Sequence, residues 1–224
     1  MNKPIFMGAA TALITPMNET GVDYAAFEKL INWQIEEGID ALVICGTTGE
    51  SSTLSDAEHR QVLKFAIDVV GGRVPMLAGT GSNDVAYAID LTKYACQIGY
   101  DAMLVSTPYY NKTTQDGLYA HYRTIAAGTK LPCIIYNVPS RTGTNILPET
   151  AVTLAKTVPN IVAIKEASGN FSQVAKLASL AQGCIDIYSG NDDQIVPLCS
   201  LGGLGVISVL ANVAPKETHD MVYA

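Results

Sequence analysis

Chemistry in this chain is concentrated at one lysine. In Asn160-Ile161-Val162-Ala163-Ile164-Lys165-Glu166-Ala167-Ser168-Gly169 an apolar run stops at Lys165 and passes at once into small turn residues. Such a run reads as a strand buried on both faces, as in parallel sheets, with Lys165 at its C-terminal end, where parallel α/β folds meet their ligands. An amine held in an apolar barrel loses the solvation of its charged form, so its pKa falls and it becomes a nucleophile able to form a Schiff base with a carbonyl. A solvated strand-end lysine paired with Glu166 accounts for the position equally well. Period-two alternation places Ile161, Ala163 and Lys165 on one face. One strand earlier, Tyr136 has the matching parity, and its hydroxyl can pass protons to and from a carbinolamine.

Two further groups suit a 2-oxo acid. Gly46-Thr47-Thr48-Gly49, after the second apolar run, exposes backbone N–H groups and two hydroxyls together, a cradle for a carboxylate, although an ordinary strand-to-helix turn has the same composition. Arg141, in Asn137-Val138-Pro139-Ser140-Arg141-Thr142-Gly143, is the only cation of its loop and can clamp a second carboxylate bidentately, or simply face water. Phosphate fits less well: the segments after the seventh and eighth runs, Gly190-Asn191-Asp192-Asp193 and Val209-Leu210-Ala211-Asn212, hold no lysine or arginine. Tyr109 and Tyr110 stand side by side in the loop after the fourth run, as a lid or an interface anchor would.

Eight apolar runs position these groups: Ala9 to Ile14, Ala41 to Cys45, Pro75 to Ala78, Ala102 to Ser106, Cys133 to Tyr136, Ile161 to Lys165, Ile185 to Ser189 and Gly205 to Ser208. The first six recur about every 30 residues with helical periods between them, which predicts a (β/α)₈ TIM barrel, an α/β fold. No dinucleotide fingerprint follows the first run, which argues against an open doubly wound sheet. Ser55-x-x-Glu58 is a capping box, Gly38, Gly71 and Gly99 close helices, and Pro148 opens one. After the eighth run only Asn212 to Ala224 follow, so the eighth helix is expected to be missing and the seam between the last and first strands poorly covered.

The bulk numbers agree with a small-molecule enzyme. The 224 residues, 48% hydrophobic, suffice for one barrel domain over 1–224. A net charge of -7 without a basic cluster argues against nucleic acid and anionic membranes as partners. Five scattered cysteines read as free thiols, no run is long enough to span a membrane, and the start lacks a signal peptide's apolar run, so the expectation is a cytoplasmic protein. Three histidines at unhelpful spacing make a zinc site improbable.

Taken together, Gly46-Thr47-Thr48-Gly49-Glu50, Tyr136-Asn137-Val138-Pro139-x-Arg141-Thr142-Gly143 and Ile164-Lys165-Glu166-Ala167-Ser168-Gly169 resemble the dihydrodipicolinate synthases, a family of pyruvate-dependent, Schiff-base class I aldolases. The resemblance implies condensation of pyruvate with L-aspartate 4-semialdehyde, without a cofactor beyond the covalent adduct, in lysine and diaminopimelate biosynthesis. It also implies roles. Lys165 would form the adduct, and Tyr136 would relay protons, coupled through Thr47 to Tyr110 from a neighbouring subunit of a homo-oligomer. Thr48 would hold the pyruvate carboxylate, Arg141 would receive that of the semialdehyde, and Gly190 and Ile207 would line the pocket. In family members inhibited by lysine, other residues stand where this chain has Asp56 and Tyr87, so feedback is not expected, although His59, Asn83 and Tyr109 are retained. The family's C-terminal helical region is expected to be missing. The alternatives are a sister aldolase acting on N-acetylneuraminate or a 2-keto-3-deoxy acid, and a pyruvate-binding fragment without turnover.

Overall fold

The computed structural model describes residues 3–224. Eight parallel strands close on themselves: β1 (Gly8–Ala12), β2 (Ala41–Ile44), β3 (Met76–Gly79), β4 (Ala102–Ser106), β5 (Cys133–Asn137), β6 (Ile161–Glu166), β7 (Asp186–Ser189) and β8 (Gly205–Ser208). Closure is made by β8 against β1, with Gly8 opposite Gly205 and Thr11 opposite Ser208. Each strand falls within two residues of an apolar run, because a strand covered on both faces needs apolar side chains on both parities. The (β/α)₈ barrel expected from the sequence is the fold observed.

The helices are α1 (Tyr24–Glu36), α2 (Asp56–Val70), α3 (Val85–Ile98), α4 (Gln115–Ala127), α5 (Pro148–Thr157), α6 (Phe171–Ala181), α7 (Ile195–Ser200) and α8 (Pro215–Tyr223). Both halves of the Ser55–Glu58 capping box form at the start of α2, and Gly71 ends that helix at φ +56°. Pro148 occupies the first position of α5, where its missing N–H costs nothing. A two-residue hairpin (Met17–Asn18 with Gly21–Val22) and one helical turn (Pro139–Thr142) are additions that no hydrophobic period announces.

Two expectations are corrected. Ile161 does not share the face of Ala163 and Lys165. Cys133 pairs with Ile161 but Ile134 pairs with Ala163, so a bulge at Val162 inverts the parity there. Ile161 joins the layer beneath the helices, while Val162 packs against the barrel interior. The eighth helix, expected to be missing, is present as α8 and packs on β1. Its buried faces are Pro215 and Thr218, His219 Nδ1 lies 2.7 Å from Asp40 Oδ2, and the Tyr223 hydroxyl donates to Met7 O at 3.1 Å. Asp40 also accepts from Ala9 N at 2.8 Å, so one carboxylate joins α8 to the first strand and covers the seam.

The interior is stacked from Ala10, Ala12, Val43, Leu104, Ile134, Tyr136, Ala163, Tyr188 and Ile207, among others. Alanines on β1 and β6 opposite larger residues leave the upper interior open enough for two polar tips, those of Lys165 and Tyr136.

Candidate functional site

The register of β5 and β6 puts Tyr136 directly beside Lys165, and the lysine Nζ lies 4.4 Å from the centroid of the tyrosine ring. Lys165 is only 3% exposed. Burial pushes its pKa from 10.5 down to about 7; Asp192 opposes the fall and Arg141 adds to it. A ring face attracts the ammonium form by roughly 0.5–2 kcal/mol, on the order of one pKa unit, so burial decides and a substantial neutral fraction exists at neutral pH. Burial likewise raises the Tyr136 phenol, moderated by the Arg141 charge and by the Thr47 hydroxyl, which reaches it. The phenol therefore keeps its proton until a base takes it, as a relay requires.

The turn after β2 is built around tight backbone approaches. Cys45 and Glu50 adopt positive φ (+55° and +54°), and a Cβ at Gly79 would lie 2.0 Å from Cys45 O. The turn thus lies hard against β3, with Thr47 exposed and Thr48 half-buried. Gly49 is held by Thr15, whose hydroxyl donates to Gly49 O at 2.7 Å. A small cavity joins Thr47, Ser51, Gly81, Ser106 and Tyr136. A larger cleft, of about 760 Å³, opens at the opposite end of the barrel by Ile161 and Asp186 and contains none of the candidate site residues.

The remaining residues fall in three places. Gly190 follows β7 and leaves the room Lys165 occupies: a Cβ there would lie 3.0 Å from Lys165 Cε and 2.6 Å from Ala167 Cβ. Ile207, on β8 opposite Ala10, is fully buried in the interior cluster that includes Tyr136. Arg141 sits exposed on the single turn Pro139–Thr142 after β5, close enough for its charge to act on both Lys165 and Tyr136. Tyr110 is not brought in. It is 90% exposed on the loop after β4, at φ +69°.

One charged group at the site was not singled out from the sequence. Asp192 accepts from Ser208 Oγ at 2.5 Å and from Leu210 N at 3.1 Å, tying the ends of β7 and β8 together while its charge acts on Lys165. Its signal was there: an aspartate one turn past a barrel strand.

A model of the "Dihydrodipicolinate synthetase family" matches residues 5–224. The chain belongs to that family. Among its relatives, the 4-hydroxy-tetrahydrodipicolinate synthase of Thermoanaerobacter sp. (strain X514) is 54% identical over 221 residues, 99% of this chain and 74% of that protein. The protein of the same name from Clostridium tetani is 55% identical over 217 residues, covering 97% and 74%. A crystal structure of the dihydrodipicolinate synthase from Aquifex aeolicus superposes with a TM-score of 0.95 at 43% identity, covering 98% of this chain and 75% of that one. Asp56 is ion-paired to Arg60 through Nε at 3.0 Å, and burial pushes the Tyr87 phenol up to about 12. The retained His59 is buried with Nε2 3.1 Å from Gly79 O.

Proposed function

We propose that the protein is a lyase condensing pyruvate with L-aspartate 4-semialdehyde to 4-hydroxy-tetrahydrodipicolinate, through a Schiff base on Lys165. The observation that carries this reading is a buried lysine with a pKa near 7 facing a tyrosine at the mouth of a closed barrel. The neutral Nζ attacks C2 of pyruvate, and Tyr136 protonates the oxygen, which leaves as water to give the iminium. Loss of a C3 proton gives the enamine, whose carbon attacks the aldehyde; the aldehyde oxygen takes a proton and remains as the hydroxyl. The substrate's own amine then adds to C2 and expels the lysine amine, closing the ring, so one water is released overall. The adduct on Lys165 supplies the electron sink, and no other cofactor enters the scheme.

The cradle at Thr47 and Thr48 faces the pyruvate carboxylate, with Thr48 as its holder and Thr47 bound to the Tyr136 relay. Gly190 and Ile207 bound the pocket. Arg141, exposed at the mouth, takes the semialdehyde carboxylate as a bidentate pair. A tyrosine displayed at 90% exposure in a left-handed conformation suits a residue that completes the site of a neighbouring copy, so Tyr110 joins the relay in a homo-oligomer. The setting is lysine and diaminopimelate biosynthesis in the cytoplasm, as one domain over 1–224. Among the described residues, no helix is long and apolar enough to cross a membrane.

The sister-aldolase alternative is not favoured: Arg141 suits a short acid better than a polyol. A coupled assay with the two substrates tests the function, and Arg141→Ala tests the assignment. The variant should raise KM for the semialdehyde at least ~10-fold while pyruvate adduct formation is nearly unchanged. Equal damage to both would remove Arg141 from that role. An adduct without turnover would favour the pyruvate-binding fragment.

A further inference from the structure

Immediately beyond Tyr136 and Lys165 stand two polar residues that the scheme above does not use. Asn137 and Glu166 are register partners on β5 and β6. Glu166 is 1% exposed and Asn137 is fully buried. Strand alternation turns them away from the interior face that carries the lysine and the tyrosine, out towards the helices. The Glu166 carboxylate accepts from Asn137 Nδ2 at 3.0 and 3.2 Å, from Ser168 N at 2.7 Å and from Gln173 Nε2 at 3.4 Å. Among the described residues it has no cationic partner. Burying a carboxylate without a counter-charge is costly, so its use here points to its acceptor-only character, which three donors from three segments exploit.

Those segments are the ones that matter. Asn137 ends the strand of Tyr136, Ser168 lies in the turn that follows Lys165, and Gln173 is in the first turn of α6. Asn137 also donates to Asn145 Oδ1 at 2.9 Å and accepts from Ile146 N at 3.1 Å, and Asn145 donates to Gln173 Oε1 at 2.8 Å. Asn145 and Ile146 are where the chain returns from the Arg141 turn. The backbone ladder runs out at this level, with Ala167 N donating to Asn137 O and Gly190 N to Glu166 O, both at 2.8 Å. Beyond it, side chains hold the strand ends.

We infer that Glu166 is a positioning residue: its buried carboxylate, through Asn137, fixes the approach of Lys165 to Tyr136 and anchors the turn that carries Arg141. This rests on the Schiff-base reading. Proton transfer between an amine adduct and a phenol is lost steeply with displacement, and on the order of 1 Å costs about 10²-fold.

Glu166→Gln keeps the size but sets an NH₂ against Asn137 Nδ2, which reaches both carboxylate oxygens, and against Ser168 N or Gln173 Nε2 besides. The experiment measures the rate of borohydride-trapped pyruvate adduct across pH, with the trapping end point giving the active fraction, beside kcat and KM for both substrates. E166Q should lose roughly 10–100-fold in rate per active site, with KM for pyruvate changed less than about 3-fold. A wild-type rate per active site in E166Q, with only the active fraction or melting temperature lowered, would overturn the inference. If E166Q does not fold, Gln173→Ala, which removes one donor, should show a smaller loss in the same direction, and an unchanged rate there overturns the inference. Wild-type protein that traps no pyruvate would overturn the Schiff-base reading itself, and with it this one.

Discussion

A methyl group added at Gly190 measures how closely Lys165 is held. Gly190 lies outside the left-handed region, so alanine can adopt its backbone and the effect is one of contact alone. The new Cβ would stand 2.6 Å from Ala167 Cβ and 3.0 and 3.1 Å from Lys165 Cε and Cγ. Carbon atoms settle at about 3.5–4 Å, so roughly 1 Å must be found. Ala167 belongs to the chain leaving β6, with its N–H bonded to Asn137 O, whereas the lysine stem can rotate, so the lysine gives way. Overpacking of this kind costs about 1–3 kcal/mol of stability. A displacement near 1 Å at a reacting amine costs up to about 10²-fold in rate. Gly190→Ala should therefore remain folded, melt a few degrees lower, and form the borohydride-trapped pyruvate adduct one to two orders of magnitude more slowly. Trapping at the wild-type rate by a folded variant would refute the close packing of Lys165 on Gly190.

Tyr136→Phe keeps the ring against Lys165 but removes the hydroxyl; adduct formation and turnover should fall about 10²–10⁴-fold, and a loss below 10-fold would deny the relay role. The pKa of Lys165 in the folded state, about 7, lies below its ordinary 10.5, so between those values the unfolded chain holds a proton that the folded chain lacks. Stability from this group consequently rises with pH across that window, and urea midpoints at pH 7 and pH 9 should differ more for wild type than for Lys165→Met. Ser55→Ala removes the side-chain half of the α2 capping box and leaves the Ser55 N–H bond to Glu58, costing about 1 kcal/mol in denaturant titrations with kcat unchanged.

The barrel was legible because each strand is built mainly of apolar residues and several helix ends carry explicit signals, such as the Ser55 box and Pro148. Lys165 and Tyr136 were legible because they sit at the C-terminal ends of strands, where parity and register bring side chains together, whereas Gly190 and Ile207 came only from the family resemblance. The failures were local. Parity counting put Ile161 beside Lys165, since a one-residue bulge at Val162 leaves no mark in an all-apolar run. α8 was discounted for its short length, although nine residues suffice once His219 and Tyr223 reach the first strand. The Glu166–Asn137–Asn145–Gln173 bonds were invisible because they join residues whose proximity exists only in the closed barrel.

The proposed nucleophilic role of Lys165 rests on burial, which leaves about half of its amine uncharged at pH 7. It is tested most directly by reducing the protein with borohydride in the presence of pyruvate across pH, and mapping the modified peptide. A single adduct on Lys165 is expected, with a rate of formation that rises with pH to a half-maximum near 7. An adduct on another lysine, no adduct at any pH, or a midpoint near the ordinary lysine value of 10.5 would contradict it.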